Sequence, residues 1–512
     1  MDASQPTPHC IQYYNTQPKV DLNDSSKYPF KEFVNGVEEC LFINIFSPKL
    51  FFKNKGSSED ACNNCGANGC PVIVFLHGGA YQGTGANEYG GKYLMQTGKT
   101  VLVVVNSRVG VMGYMSTEDD VVPGNNGIKD IVKALHFIQE NIHSFGGNPN
   151  SVTLAGTSSG SAIVHLMYFS SLTIDLFHRG ICTSGTFLMP LAFQKNAKEK
   201  SKKVAAALGC PTKSSRRLVN CLKTKPAADI VLLTYLFKPH FFPSLPFTAF
   251  GPVQEPLSNN AFLTQNPYDM LVRGEFQSKP LIMSLVKKEG LFPAASYIAS
   301  DEIMAEINNT WNAFAPHLLD YNFSVLPKER DAVSQEIRKF YFGEEEMSVQ
   351  NGDKLVEMAG DRHFKADVAR AVLHQAFQSY SYIYVSIFSY RGKHSVTESF
   401  SQTGNNYGAC HGDDVAYIMN TRYLNPEETE SDRDMMMRFV DMWTSFAYTG
   451  KPSFGYDVYW QSVSPFGLFF RRLNYLEIRS PYDFSQCSSY DHGNTAFWSN
   501  LPINEPANGR YS

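Results

Sequence analysis

A chain of 512 residues, 43% hydrophobic and 18% charged, has ordinary globular composition and is long enough to bury a large core. Its formal net charge of −4 is small for this size and argues against nucleic acid as a partner, since phosphate binding calls for a concentrated basic face. The sustained apolar run at 100–105 is far too short to cross a bilayer and reads as a buried strand, so no transmembrane segment is implied.

The ten cysteines are too few for a disulfide-dense miniprotein. Cys10 and Cys40 bracket one segment and Cys210 and Cys221 a shorter one; both pairs suit bridges in an oxidising compartment. Cys62, Cys65 and Cys70 cluster in a loop rich in Gly, Asn and Ser. That loop has no fourth Cys or His for zinc, which favours a local disulfide with one cysteine left over. Asn23, Asn308 and Asn322 open N-x-Ser/Thr triplets, candidate glycosylation sites that lean towards secretion. Residues 1–10 (MDASQPTPHC) carry neither the basic nor the apolar region of a signal peptide, so the compartment signals conflict.

Along the chain, 72–76 and 101–105 are continuous Val/Ile/Leu runs, as expected of strands covered on both faces. Between Gly127 and Gly146, the apolar residues Ile128, Ile131, Val132, Leu135, Ile138 and Ile142 recur at three- and four-residue spacing, which predicts an amphipathic helix. A short strand at 152–155 and a helix from Ser161 follow. Alternating strands and helices imply parallel pairing with right-handed crossovers. Later strands are predicted at 280–286 and 382–388, and a long helix at 431–448 with Ser431 as a candidate cap. The stretch 190–270, less regular and rich in Pro and Phe, reads as insertion or lid material over the strand ends, where open α/β sheets place their ligand sites.

Gly156-Thr157-Ser158-Ser159-Gly160 is a weak motif taken alone. Between a buried strand and a helix, however, the backbone must turn so tightly that flanking side chains would clash, and Gly156 and Gly160 meet that need. The turn presents the Ser158 hydroxyl at a helix N-terminus; Ser159 and Ser161 lack glycines at the same offsets. His77-Gly78-Gly79, just after the first strand, supplies candidate oxyanion donors in the N–H groups of Gly78 and Gly79, with that of Ser159 as a third. A serine nucleophile needs a base. His411, in the Gly-flanked loop Gly408-Ala-Cys-His-Gly-Asp-Asp, follows the last predicted core strand, whereas His136, His143 and His165 lie on helices and read as structural or solvated. Glu289 falls just after the strand 280–286, where a carboxylate orients an imidazole; spacing alone leaves it balanced against a solvated surface group.

These blocks resemble the type-B carboxylesterases, the cholinesterase/carboxylesterase family of α/β hydrolases. Glu38-Glu39-Cys40-Leu-Phe-Ile-Asn-Ile-Phe-Ser-Pro, Asn106-Ser-Arg-Val-Gly-Val-Met-Gly-Tyr, Phe145-Gly-Gly-Asn-Pro, Lys288-Glu-Gly-Leu-Phe and Phe446-Ala-Tyr-Thr-Gly-Lys-Pro carry the resemblance over nearly the whole chain. It is nearest to insect carboxylesterases, including the venom carboxylesterase and juvenile hormone esterase-like groups. The resemblance implies one α/β-hydrolase domain over 1–512, with a mostly parallel central sheet, helices on both faces and large insertions over the active site. It implies Ser158 as nucleophile, Glu289 as acid, His411 as base, Gly78, Gly79 and Ser159 as oxyanion donors, and disulfides Cys10–Cys40 and Cys210–Cys221. Small-molecule esters are the implied partners, with no metal or cofactor; oligomeric state is not indicated.

Two departures shape the reading. Thr157 stands where the family usually has Glu, and no Trp lies between Cys10 and Cys40, where cholinesterases hold quaternary ammonium. Both point away from cationic substrates and towards uncharged esters. Ser159 also replaces the usual Ala. The chain starts almost at Cys10, whereas the family begins with a signal peptide and several strands; either the sequence is truncated or this form lacks an edge of the sheet, and truncation of a secreted protein is the expectation. Juvenile hormone ester hydrolysis, a covalent scavenger and a non-catalytic binding protein on the same fold are the rival readings.

Overall fold

The computed structural model describes residues 6–13, 33–48, 65–66, 68–194, 196–237, 248–421, 424, 426–455 and 458–505. A nine-stranded sheet organises them. Its strands are β1 (Ile43–Phe46), β2 (Cys70–Leu76), β3 (Val101–Val105), β4 (Gly147–Thr157), β5 (Arg179–Thr183), β6 (Leu281–Val286), β7 (Ile383–Phe388), β8 (Leu473–Ser480) and β9 (Asp483–Ser489). The spatial order is β9-β8-β7-β6-β5-β4-β2-β3-β1. Strands β2 to β8 run parallel, and antiparallel strands close both edges, β1 on β3 and β9 on β8.

The principal helices are α1 (Asn126–Asn141), α2 (Ser159–Met167), α3 (Ala197–Ala207), α4 (Ser215–Leu222), α5 (Ala227–Leu232), α6 (Leu291–Ile298), α7 (Asp301–Asn309), α8 (Trp311–Leu318), α9 (Arg330–Phe342), α10 (Gly352–Gly360), α11 (Ala366–Gln378), α12 (Glu430–Thr449) and the short α13 (Gly467–Phe470). Period-two geometry sends Val72, Val74 and Leu76 to one face, against Ile131 and Ile138 of α1. Ile73 and Phe75 go to the other, in the cluster that holds Trp443 and Phe446 of α12. With both faces covered, a strand buries every residue, which is why its sequence does not alternate. Truncating a fully buried ring such as Phe75 to Ala would cost about 3–5 kcal/mol.

Each strand read from the sequence is present within a few residues. The helix predicted from Gly127 becomes α1, continued by a 3-10 turn (Ile142–Phe145) that stops at Gly146 with φ 79°. The cap of α12 is Thr429, whose hydroxyl accepts from Asp432 N–H at 3.0 Å; Ser431 lies inside the helix. The stretch 190–270 is more ordered than its composition suggests. Helices α3, α4 and α5 form there because Val204 and Ala205, Leu218 and Leu222, and Ile230 and Val231 anchor them in the main core. Between β6 and β7 stands a further block, α6 to α10, around a satellite core of Trp311, Phe314, Ile337 and Leu355.

Three disulfides are present among the described residues: Cys10–Cys40, Cys65–Cys70 and Cys210–Cys221. The first and third are the pairs the resemblance implied, and the second is the local bridge favoured for the cysteine cluster; Cys62 lies outside the described residues. Among the described residues no helix is long and apolar enough to cross a membrane, and no cluster of His, Cys, Asp or Glu suits a metal ion.

Candidate active site

Parallel strands place their C-terminal ends on one edge, and the chemistry gathers there. Strand β4 runs into α2 through Ser158, which sits at φ 56° and ψ −122°. An L-residue rarely adopts that conformation, and it is the strained turn that a nucleophile elbow requires. Two backbone bonds pin it: Ser158 N–H donates to Thr183 O at 2.8 Å, and Ser158 O accepts from Ala162 N–H at 3.1 Å. The flanking glycines are required by close approach. A Cβ on Gly156 would stand 2.5 Å from Gly160 O, and one on Gly160 would stand 2.5 Å from His77 O.

The same crowding seats the His77-Gly78-Gly79 loop on the Ser158 turn, since a Cβ on Gly78 would lie 3.1 Å from Ser158 Cβ. Thr84 holds the loop by donating its hydroxyl to Gly78 O at 2.8 Å, and its oxygen lies 2.9 Å from His77 Nδ1. Burial lowers the pKa of His77 and favours its neutral form. Among the described residues, the N–H groups of Gly78, Gly79 and Ser159 donate to no protein acceptor.

Glu289 follows β6 and is fully buried, which removes the surface-group alternative. Its Oε1 accepts from Val286 N–H at 2.9 Å, and its Oε2 accepts from His411 Nδ1–H at 2.7 Å. A backbone bridge ties the two loops, with Lys288 N–H donating to Ala409 O at 3.1 Å. The imidazole of His411 is 9% exposed and lies between Phe292, stacked at 5.3 Å, and Phe364 at 4.5 Å. Glu289 and His411 are thus joined directly. Ser158 stands at the same sheet edge and makes no direct hydrogen bond to His411 among the described residues. Such bonds often tighten only when substrate binds.

Sequence reasoning missed the braces of the histidine loop. Asp413 accepts from Cys410 N–H at 2.8 Å, Ser395 Oγ–H at 2.7 Å and Val396 N–H at 2.8 Å. Burial raises its carboxyl to about 6. Asp414 is pushed further, to about 8, by burial and then by the neighbouring charges of Glu289 and Asp413. It lines a cavity of about 10 Å³ with Thr183, Ser284 and Ser386, large enough for one water. The run Gly412-Asp413-Asp414 beside His411 was the available signal.

The three helical histidines fall as read. His165 is buried between Thr186 Oγ1 at 2.8 Å and Gln375 Oε1 at 2.7 Å, and burial drops it to about 3. His136 and His143 are exposed. Asn308 lies in α7 with its Oδ1 accepting from Arg338 at 2.7 Å and Met347 N–H at 3.0 Å. Asn322 follows α8 on a turn, and Asn23 lies outside the described residues.

A parallel sheet closed by antiparallel edges, with a strained serine elbow, a buried Glu–His pair and unused N–H groups beside the serine, defines an α/β hydrolase of the serine type. The model of the carboxylesterase family matches residues 1–498, and the chain belongs to that family. It is 36% identical over 473 residues to a carboxylic ester hydrolase of Bombus ignitus, covering 92% of this chain and 81% of that one. Venom carboxylesterase-6 of Apis mellifera is 34% identical over the same coverage. Juvenile hormone esterase from Manduca sexta, solved with OTFP covalently attached, superposes with a TM-score of 0.76 at 23% identity, covering 96% of this chain and 87% of that one. The chain is a carboxylic ester hydrolase.

Proposed function

We propose that Ser158, His411 and Glu289 hydrolyse uncharged carboxylic esters through an acyl-enzyme. His411 Nε2 takes the proton of Ser158 as Oγ attacks the carbonyl carbon, and the N–H groups of Gly78, Gly79 and Ser159 hold the resulting oxyanion. His411 then gives that proton to the leaving alcohol. Water enters, yields a proton to His411 and adds to the acyl carbon; collapse releases the acid and returns the proton to Ser158. Glu289 holds the imidazole with its proton on Nδ1 and stabilises the imidazolium.

The observation that carries this reading is the buried 2.7 Å contact from Glu289 to His411, at the same sheet edge as an elbow whose neighbouring N–H groups are unused. The preference for uncharged esters rests on Thr157, which puts a buried hydroxyl where a carboxylate would attract a cation. The test compares kcat/KM for a choline ester and an uncharged aryl ester of the same acid. The aryl ester should be favoured at least tenfold, and a choline preference would overturn the substrate reading. Because a related fold is a juvenile hormone esterase, a long-chain terpenoid ester belongs in the same series. A burst followed by little turnover would instead mark a scavenger.

We also infer an oxidising, extracellular setting, supported by the three disulfides. Asn322, on a turn, is the better-placed glycan acceptor, since Asn308 lies within α7.

A further inference from the structure

Parallel strands also gather their N-terminal ends, on the edge opposite Ser158, and that edge is basic. Lys99 precedes β3, Arg179 opens β5, Lys279 precedes β6, and Arg471 and Arg472 precede β8. Lys451 lies there too, its ammonium 5.4 Å from the ring of Tyr382 at the foot of β7. None of these six cations forms an ion pair among the described residues. Lys279 and Arg472 instead sit over aromatic rings, of Phe177 at 4.3 Å and Tyr490 at 5.6 Å. Asp175 is the carboxylate that bears on Lys279. In a chain of net charge −4, six cations thus gather at one edge, with Arg179 and Lys279 also donating to Ser151, Tyr448 and Phe177 oxygens and Lys99, Lys451, Arg471 and Arg472 left for a partner.

The same edge exposes large apolar groups. Phe466, Phe469 and Phe470, on and beside α13, are 65%, 67% and 68% exposed, and Phe469 packs edge-on against Phe377 of α11 at 5.0 Å. Three rings exposed to that degree present on the order of 400 Å² of apolar surface, within the range of the largest patch on a typical monomer, which is often functional. Phenylalanines flanked directly by unpaired arginines suit a bilayer surface, with the rings entering the acyl boundary and the cations meeting phosphates. A soluble polyanion would use the cations and leave the rings in water.

We propose that this edge docks the protein on a membrane surface bearing anionic lipid headgroups, holding the esterase mouth away from the bilayer. The vesicle binding it predicts does not depend on the roles given to Ser158, Glu289 and His411; only the orientation of the mouth rests on that reading. It is tested by co-sedimentation with vesicles of phosphatidylcholine alone and of phosphatidylcholine mixed with phosphatidylserine, at low and high salt. Wild-type protein should sediment with the anionic vesicles and be released by salt. Both Arg471→Glu with Arg472→Glu and Phe469→Ser with Phe470→Ser should weaken that partition at least tenfold. Turnover of a short aryl ester should be unchanged in both, which reports folding. Lys451→Glu, on a separate loop, is the second variant and should weaken partition by several-fold. No sedimentation, or equal sedimentation with neutral vesicles, would overturn the proposal. So would serine variants that bind like wild type, because the rings would then contribute nothing to seating the edge in a bilayer.

Discussion

Replacing Glu289 by Gln keeps the shape of the side chain and reverses one hydrogen bond. In the native protein, Val286 N–H donates to Oε1 at 2.9 Å and His411 Nδ1–H donates to Oε2 at 2.7 Å, within a fully buried site. A glutamine must keep its oxygen on Val286 N–H, because the opposite flip sets two donors face to face. Its amide then points N–H at His411 Nδ1, which must become the acceptor, and the ring proton moves to Nε2. The nitrogen that should take the Ser158 proton no longer has a lone pair to do so. By comparison with the same substitution in serine triads generally, kcat should fall about ten-thousandfold, equivalent to about 5 kcal/mol. The assay is steady-state hydrolysis of a short aryl ester, with thermal melting as the folding control. A Glu289→Gln protein that melts like wild type and retains turnover within about tenfold would refute the assignment of Glu289.

Other consequences are open to measurement. Asp414 holds a proton up to about pH 8 in the folded chain and releases it near 3.8 when unfolded. Its contribution to stability is therefore present below that unfolded value and is lost as pH rises to about 8. Asp414→Asn should flatten the fall by up to about 1.4 kcal/mol per pH unit, read from urea midpoints between those limits. Arg362 is buried against Glu505 with contacts of 2.9 and 2.5 Å, so Glu505→Ala strands a cation in the interior. That variant should lose about 3–5 kcal/mol in urea denaturation, and a loss below about 1 kcal/mol would show the pair to be dispensable.

The central strands were legible because full burial on two faces leaves an uninterrupted apolar signature, as at 72–76 and 101–105. The elbow and the HGG turn were legible because their geometry demands glycine, and demand for glycine survives in a single sequence. The edge strand β9 was not, since alternate residues face solvent and Asp483–Ser489 reads as polar loop. The helices α3 to α5 were obscured by Pro and Phe nearby. Their amphipathic spacing is short, and helices of that length form only against a partner surface. Glu289 was ambiguous because two lysines precede it. Only the fold places Lys287 and Lys288 outward, paired with Glu477 and Asp353, while Glu289 turns in. The ring clamp of Phe292 and Phe364 on His411 joins residues from separate elements, and no local pattern encodes it.

The most direct measurement is intact-mass analysis of the folded protein after exposure to a fluorophosphonate, beside a Ser158→Ala control. A single adduct that maps to Ser158 and is absent from the control is the required outcome. A folded chain that takes up no adduct, or takes one at another serine, would contradict the assignment of Ser158 as the nucleophile.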